Sequence, residues 1–73
     1  MPMTQEIVSD IQAEPAHVEL RVAIARTGVK QFVVAQRVGI SEGQLSRLLR
    51  GLKPLSPELA EQIRTAIAEV AAA

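Results

Sequence analysis

The residues with the clearest chemical potential are cationic side chains concentrated in the middle of the chain. Residues 21–53 contain seven Lys or Arg and a single Glu, so this segment carries a net charge of +6. Residues 1–20 carry −4 and residues 54–73 carry −2, so the formal net charge of zero conceals a basic centre. A local basic patch attracts polyanions whatever the global charge. Charge alone predicts either a polyanion-binding face or a solvated surface.

Groups suited to covalent or metal chemistry are scarce. The 73 residues include no Cys and one His, His17, so disulfides and Cys-based zinc sites are excluded and His17 cannot form a metal site alone. The basic centre contains Glu42 as its only carboxylate, whereas metal-dependent nucleases and integrases need carboxylate clusters. A chain of this length also leaves little wall for an enclosed pocket. We expect a protein that is not an enzyme and uses no metal or cofactor.

Length and composition indicate one small folded domain. Hydrophobic residues make up 48% of the chain, and a domain of this size buries only about 60% of its unfolded surface, so its core is small. No apolar run approaches the roughly 18 residues of a membrane span, and the acidic N-terminus lacks a signal-peptide pattern. We expect a cytoplasmic protein without a membrane partner.

An all-α architecture is predicted by the abundance of good helix formers and the absence of hairpin signals. Helices are expected over about 15–27, 30–38 and 41–50 and from residue 56 onward, with glycines ending the first three. Ser41 and Gln44 have the spacing of a capping box. Ser56 and Pro57 are typical of a helix start. Residues 1–14 form a separate N-terminal segment, a short helix or an arm.

Residues 31–50, QFVVAQRVGISEGQLSRLLR, resemble the helix-turn-helix of the phage Cro and repressor type, the XRE-like family. The resemblance rests on Gln31 opening one helix, Ala35 where two helices cross closely, Gly39 in the turn, and the apolar positions Val34, Val38, Ile40, Leu45 and Leu48. It extends over roughly residues 16–67. It implies a small bundle of about four to five helices, the lambda-repressor-like DNA-binding domain, spanning residues 15–73.

The resemblance implies that the second helix of the motif lies in the major groove of double-stranded DNA. The positions that would read bases are Ser41, Glu42, Gly43, Ser46 and Arg47. Arg47 is the best candidate, because a guanidinium can bond O6 and N7 of guanine together. Helical side chains lean toward the N-terminus, so Arg47 is expected over Gly43. Structural alternatives are helix-start stabilisation by Glu42 and simple weakening of the helix by Gly43.

The same resemblance implies a set of phosphate contacts that position the helix. These residues are Lys30, Gln31, Gln44, Arg50 and Lys53. Gln31 matches the phosphate-contacting glutamine of the family, whereas Arg50 would also be favourable at a helix C-terminus without DNA. The remaining cations of the segment, Arg21, Arg26 and Arg37, are expected on the solvated surface.

The function that the resemblance implies is a sequence-specific transcriptional regulator, a small repressor or autoregulator of a phage, plasmid or similar element, and with it an association with the nucleoid. A homodimer on a palindromic operator is expected, because one such module makes few contacts. Apolar residues in excess of what one small core needs also favour a homodimer. They are Val18 and Val22, Ile7, Val8 and Ile11, and the apolar residues along the last helix. The alternative is a protein-binding module of the same fold, an antitoxin or a factor that docks on RNA polymerase or another repressor. Salt separates the two, because phosphate contacts weaken steeply with salt.

Overall fold

The computed structural model describes residues 15–73, and these fold into four α-helices. They are α1 (Ala16–Thr27), α2 (Gln31–Val38), α3 (Glu42–Leu49) and α4 (Pro57–Ala72). The described residues contain no strand, so the predicted small all-α bundle is confirmed. Within this part of the chain, no helix has the length and apolar character that crossing a membrane requires. The short helix or arm predicted for residues 1–14, including Ile7, Val8 and Ile11, lies outside the described residues.

The two ends of α3 are held by local hydrogen bonds that follow from the sequence. At the start, Ser41 Oγ accepts from the backbone N–H of Gln44 at 3.1 Å, and Gln44 Oε1 accepts from the backbone N–H of Ser41 at 3.1 Å. This is the predicted capping box. At the other end Gly51 has φ 77°. The N–H of Leu52 donates to the carbonyl of Arg47 at 2.9 Å, and the N–H of Gly51 donates to the carbonyl of Leu48 at 3.2 Å. These bonds form a Schellman cap, which satisfies carbonyls at the end of α3.

Gly51 also lies beside the ring of His17, which would have to shift to make room for a side chain at position 51. A β-carbon placed on Gly51 would lie 2.9 Å from Nε2 of His17, which is closer than van der Waals contact permits. The left-handed backbone at this position is itself strained for a residue with a side chain. The start of α1 therefore packs directly against Gly51, two residues beyond the end of α3.

A single core joins the four helices. Its buried apolar residues are Leu20, Val34, Ala35, Leu45, Leu48, Leu49, Ala60, Ile63, Ala66 and Ile67. The long helix α4 packs against α1 and α2, and α3 packs against α2 and α1. The bundle therefore supports α3 from beneath and leaves its opposite face in solvent.

The apolar stripe of α4 is largely buried in this core. Ile63 is fully buried and Ile67 is 3% exposed, so the stripe does not supply the surplus apolar surface on which the dimer expectation partly rested. Of the residues invoked there, Val22 on α1 remains 42% exposed, and Val18 is half-buried.

Candidate functional site

The solvent face of α3 is formed by Gly43 and Arg47, which we call the α3 ridge. Because Leu45, Leu48 and Leu49 point into the core, residues 43 and 47 lie one helical turn apart on the opposite face. A β-carbon placed on Gly43 would lie 3.9 Å from Nη2 of Arg47 and 4.0 Å from Nη1. The expected position of Arg47 over Gly43 is therefore confirmed.

One flank of the α3 ridge is a cleft of about 490 Å³ between three helices. We call it the α1 cleft. Its lining residues are Arg21, Gln31, Ser46, Leu49 and Arg50. Gln31, Ser46 and Arg50, which were predicted separately as DNA contacts, thus come together. Ser46 was predicted to read bases beside Arg47, but it faces this cleft rather than the ridge.

The other flank of the α3 ridge is a smaller cleft of about 300 Å³, bordered by the connector that follows α3. Gln44 and Lys53 supply its polar groups, among apolar residues such as Leu48. Gln44 Oε1 is occupied by the capping box, so the amide N–H groups are what Gln44 can offer to a ligand. The predicted phosphate contacts are therefore divided between the two sides of α3.

The remaining predicted contacts lie at helix ends. Ser41 is the N-cap of α3, so its structural role is established by its hydrogen bonds. Glu42 is the exposed first residue of α3, where a carboxylate interacts favourably with the helix dipole. Lys30 is exposed at the N-cap position of α2 without a side-chain capping bond. Arg50 is the C-cap of α3.

The cations near α4 differ from those around α3, because they are paired with carboxylates. Arg37 contacts Glu69 at 3.2 Å, and Arg64 contacts Glu19 at 2.6 Å and Glu61 at 2.5 Å. The hydrogen bond that Arg64 donates to Glu19 is the largest of the effects that raise the pKa of Arg64. Arg37 lies on the solvated surface as expected, and its charge is paired there with Glu69 of α4.

No such pairing with the carboxylates of residues 15–73 occurs at the other cations. These are Arg21, Arg26, Lys30, Arg47, Arg50 and Lys53. Five of the six lie on or beside α2 and α3 or in the α1 cleft, and Arg26 lies farther along α1. Unneutralised positive charge is therefore concentrated on the α3 side of the bundle.

Arg21 is the residue of this site that the sequence did not reveal. It shares a face of α1 with His17, four residues earlier, and His17 contacts Gly51 just beyond α3. The four-residue spacing places Arg21 on the side of α1 that faces the end of α3. This can be recognised only when the packing of α1 against α3 is known.

Residues 15–73 contain no cluster of three His, Cys, Asp or Glu side chains placed to hold a metal ion. Comparisons of the chain with protein-family models, with curated proteins and with solved structures find no match. Function is therefore inferred from the geometry of α3 and its two flanks.

Proposed function

We propose that the protein is a sequence-specific DNA-binding transcriptional regulator, in which α2 and α3 act as a helix-turn-helix and α3 enters the major groove. The observation that carries the proposal is Arg47. It lies over Gly43 on the exposed ridge, has no carboxylate partner within residues 15–73, and stands between two flanks with polar and cationic groups. A major groove about 12 Å wide admits such a helix.

Base reading is assigned to the ridge and the start of α3. Arg47 would donate to O6 and N7 of a guanine, a contact that contributes about 1–3 kcal/mol of discrimination. Gly43 has no side chain, so the helix can approach a base pair closely there. Ser41 and Glu42 lie at the end of α3 that such motifs direct toward base edges, whereas Ser46 faces the α1 cleft and is placed with the phosphate contacts.

Phosphate contact is assigned to the two flanks of the ridge. The major groove is bordered by two phosphodiester strands, so a helix in the groove has one strand on each side. Gln31 and Arg50, with Lys30 next to Gln31 in the chain, would face one strand. Gln44 and Lys53 would face the other. Contacts of this kind fix the register of a protein on the duplex without reading its sequence.

A homodimer on a palindromic operator forms part of the proposal. Phosphate contacts alone give dissociation constants of roughly 10⁻⁴–10⁻⁶ M, whereas specific regulators reach about 10⁻⁸–10⁻¹¹ M. Two copies reading half-sites about 34 Å apart would close that gap. The exposed Val22 on α1 supports self-association. Sedimentation at micromolar concentration tests it, and monomer alone, both with and without operator DNA, would contradict it.

The decisive experiment is selection of duplexes from a random library, followed by titration of the best duplex at several salt concentrations. We expect an enriched palindromic sequence, and binding that weakens steeply as salt rises because phosphate contacts release counterions. The absence of any enriched sequence, together with weak binding to all duplexes, would overturn the proposal.

A protein-binding module is the second candidate, and two exposed apolar side chains favour it. Phe32 on α2 is 46% exposed and Leu52 after α3 is 66% exposed. A protein partner held through these side chains would bind with little salt dependence. The Phe32→Ala variant would then weaken partner binding and leave any DNA binding unchanged, which separates this candidate from the first.

A further inference from the structure

We infer that Arg21 of α1 binds the DNA phosphate that Gln31 and Arg50 face, so that α1 takes part in DNA contact. The inference rests on the proposed function and adds a residue from a third helix to it. The observation behind it is the α1 cleft, which Arg21 and Arg50 enter from different helices.

The chemistry of the α1 cleft suits a phosphate group. Its polar lining consists of two guanidinium groups, one carboxamide and one hydroxyl, and contains no carboxylate. Its apolar wall is Leu49, which is 3% exposed and belongs to the core. Guanidinium groups donate two parallel hydrogen bonds to phosphate oxygens, and amide and hydroxyl groups can donate to the same oxygens.

The charges of the α1 cleft favour an anion as its occupant. Neither Arg21 nor Arg50 forms an ion pair within the part of the chain that the structure describes. Two like charges that line one cleft repel each other, and a phosphate between them would remove this repulsion. Arg26 provides the contrast on the same helix, because the cleft that it lines also contains Glu19.

A phosphate held by Arg21 and Arg50 together would couple two helices of the bundle to one point on the duplex. Arg50 caps α3, and Arg21 lies on α1, which packs against both α3 and α4. The contact would therefore help to fix how deeply α3 enters the groove, while leaving the choice of bases to the α3 ridge.

The test compares Arg21→Ala with Arg26→Ala in the full chain, each removing one positive charge from α1. Binding to the duplex selected by the parent protein is measured at several salt concentrations. We expect Arg21→Ala to weaken binding roughly tenfold for each half-site at moderate salt, and to reduce the slope of log K against log salt by about 0.9 for each half-site, or about 1.8 for the dimer. Arg26→Ala should leave the slope unchanged. In ethylation-interference mapping, one phosphate in each half-site should cease to interfere with binding of Arg21→Ala, but not of Arg26→Ala.

The outcomes distinguish this inference from the proposed function. If the parent protein selects a duplex but Arg21→Ala keeps the parental slope, or if both variants lose slope equally, Arg21 is not a phosphate contact and the proposed function stands. If the parent protein binds no duplex, both fail. Thermal unfolding of each variant checks folding, and Arg21→Gln, which keeps most of the aliphatic stem, replaces Arg21→Ala if the latter is unstable.

Discussion

The α3 side and the α4 side of the bundle use the same residue type for different purposes. Around α3, Arg47, Arg50 and Arg21 have no carboxylate partner among residues 15–73. Beside α4, Arg37 and Arg64 are engaged by glutamates. An arginine in this sequence is therefore not a binding residue by its type; the neighbouring helix decides whether its charge remains available.

The ion pairs beside α4 contribute little to the free energy of unfolding, but they change the electrostatic potential around the bundle. Exposed ion pairs contribute about 0–1 kcal/mol, and Arg37 and Glu69 are both about half exposed, at 46% and 53%. Their mutual neutralisation nevertheless removes a cation from the far side of the bundle. The remaining positive potential therefore lies on the α3 side of the bundle. Such a potential would orient a polyanion as it approaches.

The largest expected effect separates the core face of α3 from its ridge. Leu45 is fully buried under α3, so Leu45→Ala should lower the free energy of unfolding by about 2–5 kcal/mol. DNA binding should fall with it, because α3 loses its support. Urea unfolding followed by circular dichroism measures the change. Leu52→Ala, the same substitution at a 66% exposed position, should leave stability nearly unchanged.

Arg47→Ala should affect binding without affecting the fold. Removal of its bidentate contact should weaken binding roughly 5- to 150-fold for each half-site of the selected duplex and remove the preference at one base pair in each half-site. Lys53→Ala is the matched control, because removal of a phosphate contact should weaken binding evenly across sequences. Competition titrations with single-base variants of the site measure both. Parental affinity of Arg47→Ala for the best site would contradict the docking of α3.

Gly43→Ala should move stability and binding in opposite directions. A β-carbon there meets nothing closer than 3.9 Å, and Ala is favoured over Gly in helices by about 0.5–1 kcal/mol. The variant should therefore unfold at a slightly higher temperature but bind the selected duplex less tightly, because the methyl group stands between α3 and the bases. Thermal unfolding and titration of one sample measure both. If the affinity of Gly43→Ala for the selected duplex equals that of the parent protein, α3 does not approach the bases closely at Gly43.

Arg37→Ala should give the smallest effect. Removal of its exposed pair with Glu69 should lower the free energy of unfolding by about 0.2–1 kcal/mol, and the salt dependence of DNA binding should not change. Titrations at two salt concentrations beside the parent protein suffice. A reduced salt slope would show that Arg37 also contacts DNA, and the contrast between the two sides would then fail.

Most of the helix boundaries were predictable because their causes are local. The capping box of Ser41 and Gln44, the cap that Ser56 supplies to the backbone N–H of Leu59, and the end of α3 at Gly51 each depend on residues within a few positions. The placement of Arg47 over Gly43 was predictable for the same reason, since it depends only on helix geometry. The apolar stripes of α3 and α4 likewise follow from helical periodicity.

The sequence by itself therefore determined the four helices, their caps, their apolar faces and the ridge of α3. Tertiary structure alone decided that Arg37 meets Glu69, that Arg64 meets Glu19, and which polar groups lie together in the α1 cleft. Arg37 and Glu69 are 32 residues apart, and Arg64 and Glu19 are 45 residues apart, so no local pattern predicts either pair. Arg21 lines the same cleft as Gln31 and Arg50 only because α1 packs against α3. The periodicity of the sequence determines which residues share a face of a helix. Long-range packing determines which other helix that face contacts.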